Sequence, residues 1–215
     1  MMADESRPVR AGLLTTLYSL CAQGLNYPDE ALAGTLKEGE FESALGQALT
    51  GLGRNEPDIM RELSGHYGNP VLTPEALLLE LERDYTWMFF ASKPRVAYLF
   101  ESVYSEGRLY QESTFQIARL YHAAGLKIEE AFKLPPDHIA VELEFMAYLA
   151  FQEMEGLRAG EAEKADYARD MQKTVRESHL GPFALELALR VEKNAKTVFY
   201  RTVARTLKAV FSLDL

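Results

Sequence analysis

An all-α bundle is the fold this sequence predicts, on three observations. Two-residue alternation of apolar and polar residues, the mark of a half-buried strand, is almost absent. Apolar residues instead recur at helical spacing in stretches that open on caps and close on glycine. One stretch, 135–149, is apolar around most of its circumference, and such a helix belongs in the middle of a bundle. The 215 residues, 47% of them hydrophobic, suffice for a sizeable core and are read as a single helical domain over 1–215.

Val9 to Gly24 reads as the first helix, with Leu13, Leu17, Leu20 and Cys21 on one face. The loop Asn26-Tyr27-Pro28-Asp29 leads into a short leucine-bearing helix, Ala31 to Leu36. Phe41, Leu45, Ala48, Leu49 and Leu52 continue the period until Gly51, Gly53 and Asn55 end it. Glu56 to His66 is a weaker helix, and Leu63 to Pro74 is expected to be a surface connection. Thr73-Pro74-Glu75 is a strong helix start: Thr caps, Pro takes the first position and the acid complements the helix dipole. That helix is expected to run to about Phe90 and to end on the aromatic run Tyr85-Thr86-Trp87-Met88-Phe89-Phe90. Leu99 to Tyr104 is placed in a long structured connection, and Glu112-Ser113-Thr114 caps a helix from Phe115 to Ala124 that Gly125 stops. A mixed-charge tether from Leu126 to Leu134 follows, with 126–136 as a candidate hinge.

The central helix is expected to begin at Pro135-Pro136, because proline suits a first turn. Ile139, Leu143, Met146 and Ala150 fall on one side, and Val141, Phe145 and Tyr148 on another. Polar Asp137 and His138 at its mouth, with Glu142 and Glu144 inside it, break that pattern and mark a candidate site. Beyond Gly160 a charged helix spans Ala162 to Ser178. His179 to Phe183 then restarts the chain into closing helices from Ala184 to Phe211, which can run unbroken through Asn194.

Charge and composition narrow the function. Twenty-three basic against 32 acidic residues give a net charge of −9, which argues against nucleic acid as the main partner and favours a basic peptide. No apolar run approaches the length of a membrane span, and Met1 to Pro8 lacks a signal-peptide core, so a cytoplasmic protein is expected. The single cysteine, Cys21, fits a reducing compartment and can build no thiolate cage. Residues 185–215 carry a net charge of +3, read as the solvated face of a helix whose other stripe is Val191, Val198, Phe199, Val203, Leu207 and Val210.

Two constellations stand out. Asp137-His138 can bind a ligand, move a proton or simply cap the helix, and the residues alone leave these open. His138 and Glu142 lie one turn apart, but no second histidine pair or cysteine cluster supports a metal, and none is expected. In the aromatic run, Tyr85, Met88 and Phe89 share one side while Trp87 and Phe90 point elsewhere, so they cannot all face one core. An accessible methionine-and-aromatic groove is therefore expected there. The Walker loop, the dinucleotide fingerprint, Gly-x-Ser-x-Gly and His-Glu-x-x-His are all absent, so neither cofactor nor catalysis is expected.

Several of these segments carry a resemblance. Pro135-x-Asp137-His138-Ile139-Ala140-x-Glu142-Leu143-x-Phe145-Met146 resembles the signature of the TorD/DmsD family of molybdoenzyme maturation chaperones. Glu101-Ser102-Val103-Tyr104 is similar to that family's Tyr-Glu-Ser-Val-Tyr segment, and His179-Leu180-Gly181-Pro182-Phe183 to its His-Leu-x-Pro-Trp, with Phe183 in the tryptophan's place. Asn26-Tyr27-Pro28-Asp29, Met88-Phe89 and Phe199-Tyr200-Arg201 agree, and Tyr-Pro-Asp leans toward the branch serving type II DMSO-reductase-like enzymes.

The resemblance implies a cytoplasmic, non-enzymatic chaperone. It would bind the twin-arginine leader or the body of a molybdoenzyme catalytic subunit and delay export until the cofactor is inserted. It also implies a leader-binding role for Pro135, Asp137 and His138, which are expected to lie beside Tyr85, Met88 and Phe89 in one groove. Two other readings stay open: a small helical enzyme with Asp137 and His138 as acid and base, and a general assembly adaptor. The chain is expected to be mostly monomeric, and able to exchange its C-terminal half by straightening the 126–136 hinge.

Overall fold

The computed structural model describes residues 6–54, 56–127 and 134–213. Its helices, in chain order, are α1 (Ser6–Leu25), α2 (Glu30–Lys37), α3 (Glu40–Gly51), α4 (Pro57–Tyr67), α5 (Pro74–Thr86), α6 (Glu101–Glu106), α7 (Glu112–Ala123), α8 (Ile139–Ala159), α9 (Ala162–Val175), α10 (Gly181–Asn194) and α11 (Val198–Phe211). Among the described residues the only extended pairing is an isolated antiparallel bridge between Phe100 and His138. The fold is all-α, as the sequence predicts. Most of the tether and of the 126–136 hinge, residues 128–133, lies outside the described residues.

The axis of the bundle is α8, packed chiefly against α1 and α9. Ile139, Leu143, Phe145, Met146, Leu149 and Ala150 are buried around it, which is the all-round apolar pattern of a central rod. Gly160, at φ +73°, ends the helix in the left-handed conformation that glycine adopts without strain. On the other side of α1 lie α3 and α11. A Cβ at Gly24 would sit 2.6 Å from Val203 Cγ2, so glycine there sets how closely α1 and α11 approach.

Several boundaries differ from the expected ones, each for a local reason. α8 does not start at the prolines: His138 is its N-cap, in extended conformation, and Pro135-Pro136 occupy the turn before it. The expected surface connection from Leu63 is helical as far as Tyr67, since Ile59, Leu63 and Tyr67 give α4 a buried face. Glu101 to Glu106 is a short helix within the long connection, and α7 begins at Glu112, with Ser113 accepted by the Glu106 carboxylate. The closing helix is broken at 195–197. Buried Asp84 Oδ2 accepts hydrogen bonds there from Lys196 N, Thr197 N and Thr197 Oγ1 at 2.9, 2.8 and 2.9 Å. Thr197 in turn caps α11 through Tyr200 N.

Two helices, α5 and α9, run on into a π-turn, Trp87–Ala91 after α5 and Arg176–Leu180 after α9. One extra residue per turn shifts the helical register, which periodicity of 3.6 does not anticipate. Thr73, by contrast, caps α5 as read, its hydroxyl accepting from Ala76 N. The basic C-terminal residues are held within the fold: Arg201 donates to Ala195 O and Lys196 O, while Arg205 and Lys208 pair with Glu192.

Candidate functional site

The polar pair at the mouth of α8 is buried. Asp137 is fully enclosed and His138 is 3% exposed. Asp137 Oδ2 accepts from Ser102 N at 3.1 Å and from Ser102 Oγ at 2.5 Å, while its backbone oxygen accepts from Glu101 N at 2.9 Å. Ile139 N donates to Leu99 O at 2.8 Å. Residues 99–102 are thus stitched to 137–139 through both main chain and side chain, and the connection from α5 is tied to the start of the central helix.

His138 does local work. Its Nδ1 accepts from Ala140 N at 3.2 Å, which places the ring proton on Nε2, and its ring meets Phe100 edge-on at 5.3 Å. Burial pushes its pKa down to about 4, against the opposing pull of Asp137, so the ring is neutral at neutral pH. Asp137 and His138 make these bonds to other groups and not to each other. Of the three readings of the pair, the geometry is that of clamp and cap.

Further polar groups gather around the clamp. His179 Nδ1 bonds the Glu101 carboxylate at 3.1 Å, with both side chains almost fully enclosed. Tyr121 donates its hydroxyl to Pro136 O at 2.7 Å. Glu142, one turn into α8, is fully buried and neither carboxyl oxygen has a protein partner. Burial, then the charges of Glu101 and Asp137, push its pKa well above the usual carboxylate value, favouring the protonated form. An ionised carboxylate here would cost far more than the roughly 1–3 kcal/mol of an unpaired neutral group. Among the described residues, no three His, Cys, Asp or Glu side chains are placed to hold a metal.

The residues that the family signatures single out in separate parts of the chain, Glu101, Ser102, Asp137, His138, Glu142 and His179, therefore meet in one buried cluster. Of these six, sequence reasoning assigned a binding role to Asp137 and His138 and picked out Glu142 only as a polar break in the apolar pattern. The recurrence of the motifs themselves was the signal for the other four, whereas Tyr121 and Asp84 carried none.

The aromatic end of α5 forms the other half. Tyr85, Met88 and Phe89 are buried, at 2%, 0% and 2% exposure, so they do not line an accessible groove in this structure. Tyr85 donates to Leu25 O at 3.1 Å and packs against Phe89, Phe90, Tyr200 and Tyr27. The π-turn, closed by Ser92 N to Trp87 O, turns Met88 and Phe89 inward and leaves Phe90 53% exposed. Tyr27, on the other flank of Tyr85, is 56% exposed. Arg95 lies over both Phe90 and Tyr98, and Lys196 over half-buried Trp87 at 4.4 Å. The inference that these aromatics face different ways thus holds, but the outward members are Phe90 and Tyr27.

The two halves are joined through the segment after the π-turn. Ala97 N donates to Met88 O at 3.4 Å, and two residues on, Leu99 O receives Ile139 N. Half-buried Pro135 lies in the turn before His138, whose main-chain N–H donates to Pro135 O.

The sequence profile described as nitrate reductase delta subunit matches residues 40–188, a span that takes in the aromatic turn, the clamp and His179. A chaperone protein TorD from Vibrio cholerae is 37% identical over 73 residues, covering 34% of this chain and 33% of that protein. A chaperone protein TorD from Shewanella sp. (strain ANA-3) is 32% identical over 83 residues, covering 37% and 40%. The chain thus spans about a third of the length of the curated relatives it matches first. A solved structure provisionally described as a redox enzyme maturation protein from Archaeoglobus fulgidus aligns over 93% of this chain and 91% of its own, at 24% identity and a TM-score of 0.47.

Proposed function

The chain belongs to the nitrate reductase delta subunit family, with TorD chaperones among its relatives, and from that membership we propose that it is a system-specific chaperone for a molybdoenzyme catalytic subunit of the DMSO-reductase family. It binds the subunit's twin-arginine leader, its body or both, in the cytoplasm, and holds it back from export while the cofactor is inserted. This is binding and not catalysis. The family match over 40–188 is the observation that carries the reading, and Tyr27-Pro28-Asp29 favours a client of the type II branch.

An export leader offers a basic start and an apolar, helix-forming middle. The apolar middle docks on exposed Phe90 and Tyr27, which flank the buried ring of Tyr85. Tyr85, Met88 and Phe89 support that surface from beneath, and Pro135, Asp137 and His138 hold the segment that runs behind it. The net charge of −9 speeds encounter with the basic start, and apolar contact sets residence time.

Titration of a fluorescent synthetic leader, two adjacent arginines followed by a leucine- and alanine-rich stretch, tests this. Phe90→Ala is expected to weaken binding by about 1–2 kcal/mol, the scale of a removed aromatic anchor, with an unchanged melting temperature. Wild-type protein that fails to bind the leader, or a Phe90→Ala protein that binds it as tightly as wild type, would contradict the proposal.

A further inference from the structure

An open groove runs between α2 and α5, lined by none of the clamp residues. Its floor is apolar: Ala33 from α2, with Leu78 and Leu79 from α5, and Leu79 is 45% exposed. Glu30, Glu75 and Glu82 stand along the walls, and no lysine or arginine lines it.

Exposed acids among the described residues fall into two groups: some are paired within the fold, and others, such as Glu38, Glu40 and Glu163, are not. Asp58, Glu112 and Glu186 each pair with an arginine on or beside their own helix. None of the three groove carboxylates makes an ion pair with a described residue. Glu75 accepts hydrogen bonds from its own backbone N–H and from the Thr73 hydroxyl, which hold its carboxyl below the usual range and keep it charged. Unpaired like charges beside an open apolar floor repel one another until a cation of the right spacing arrives.

The groove is also continuous with the aromatic surface. Its α5 wall ends at Glu82, less than one turn before Tyr85, and Tyr85 is the ring flanked by exposed Tyr27 and Phe90. Tyr27 in turn lies a few residues before Glu30 at the start of α2. The acid-walled groove and the Tyr27–Tyr85–Phe90 ring cluster are thus neighbours along α5 and the approach to α2.

We propose that the α2/α5 groove is a docking site for a peptide segment that carries basic residues beside an apolar stretch, its cations against Glu30, Glu75 and Glu82 and its apolar residues on Leu78 and Leu79. The assignment rests on the chaperone reading only in identifying that segment with the client's leader; the chemistry of the groove selects the segment whatever protein bears it. The basic start of the segment occupies the groove and its apolar middle runs on toward Tyr27 and Phe90.

The test uses the full chain and two synthetic peptides: the arginine-arginine leader peptide, and the same peptide with both arginines replaced by glutamine. The triple variant Glu30→Gln, Glu75→Gln, Glu82→Gln keeps the side-chain shapes, and Leu79→Ser removes the exposed apolar contact. The expected result is that the triple variant weakens the arginine peptide tenfold or more at low salt, flattens its salt dependence and leaves the glutamine peptide unaffected. Leu79→Ser weakens both peptides and keeps the salt slope. Wild-type affinity for the arginine peptide in both variants, or no discrimination between the peptides by the wild type, overturns the groove. Recovery of a molybdoenzyme catalytic subunit by wild type and triple variant alike would overturn the groove as the leader's site while leaving the chaperone reading intact. Both variants must melt as the wild type does, which the exposure of Glu30, Glu75 and Leu79 leads us to expect.

Discussion

Asp137 accepts two hydrogen bonds from Ser102, one from its backbone N–H at 3.1 Å and one from its hydroxyl at 2.5 Å. A carboxylate that is fully enclosed and doubly bonded to a residue 35 positions away fixes tertiary structure and not only a helix end. Asp137→Ala strands both Ser102 donors in the core and is expected to lower stability by about 2–4 kcal/mol, the range for breaking a buried charged hydrogen-bond set. Ser102→Ala, which keeps one of the two bonds, should cost less. Urea unfolding of the two variants measures both, and an Asp137→Ala midpoint equal to wild type would refute the clamp.

The neutral histidine of the cap makes stability depend on acid pH. His138 titrates near 4 in the folded chain and near 6.5 when unfolded, so its contribution is complete above 6.5 and is lost as pH falls toward 4. The span corresponds to about 3 kcal/mol, taking about 1.4 kcal/mol per pH unit. His138→Asn retains a side-chain oxygen that can accept from Ala140 N and does not titrate. Unfolding free energies at pH 7 and pH 4.5 should therefore fall more steeply for wild type than for His138→Asn. Parallel losses would show that the ring is not held neutral by burial.

Glu142 acts in the opposite direction. Its folded pKa is raised, so the native state keeps a proton that the unfolded chain has released above about 4.5. That contribution is full below the unfolded value and declines as pH rises through the folded one, by at most about 1.4 kcal/mol per pH unit. Glu142→Gln carries the same shape without the titration. Its stability relative to wild type should rise between pH 5 and pH 8, as read from urea midpoints, and a constant difference would contradict a protonated Glu142.

The approach of α1 to α11 supplies a packing test. Gly24→Ala places a methyl against Val203 Cγ2 and is expected to cost about 1–3 kcal/mol through overpacking. Adding Val203→Ala opens space for that methyl, so the double variant should be less destabilised than the sum of the two single changes. Strict additivity in thermal unfolding would place the strain elsewhere.

The fold class and most helices were legible because amphipathic period and caps are local: Thr73-Pro74-Glu75 announces α5, and the apolar girdle of 139–150 announces a central rod. What the sequence hid is non-local. The break at 195–197 depends on Asp84, more than a hundred residues away, and no local proline or glycine marks it. The helical wheel already sets Phe90 apart from Tyr85, Met88 and Phe89, but it cannot show that the side those three share is buried and not an accessible groove. At the mouth of α8, Pro135-Pro136 read as a first turn, because nothing local reveals that Asp137 reaches back to Ser102 or that His138 caps Ala140. Tyr85, Met88 and Phe89 were thus read as walls of an accessible groove, while in the folded chain they are buried and Tyr27 and Phe90 are the exposed rings beside them.

If this chain holds a molybdoenzyme catalytic subunit before export, as proposed, the two come out of the lysed cell together, and purification from its own cell with identification of the bound proteins reveals the pair. The expected result is a catalytic subunit of the DMSO-reductase family with its leader still attached, recovered by wild type and much reduced with Phe90→Ala. Recovery of no such subunit, from cells that make one, would contradict it.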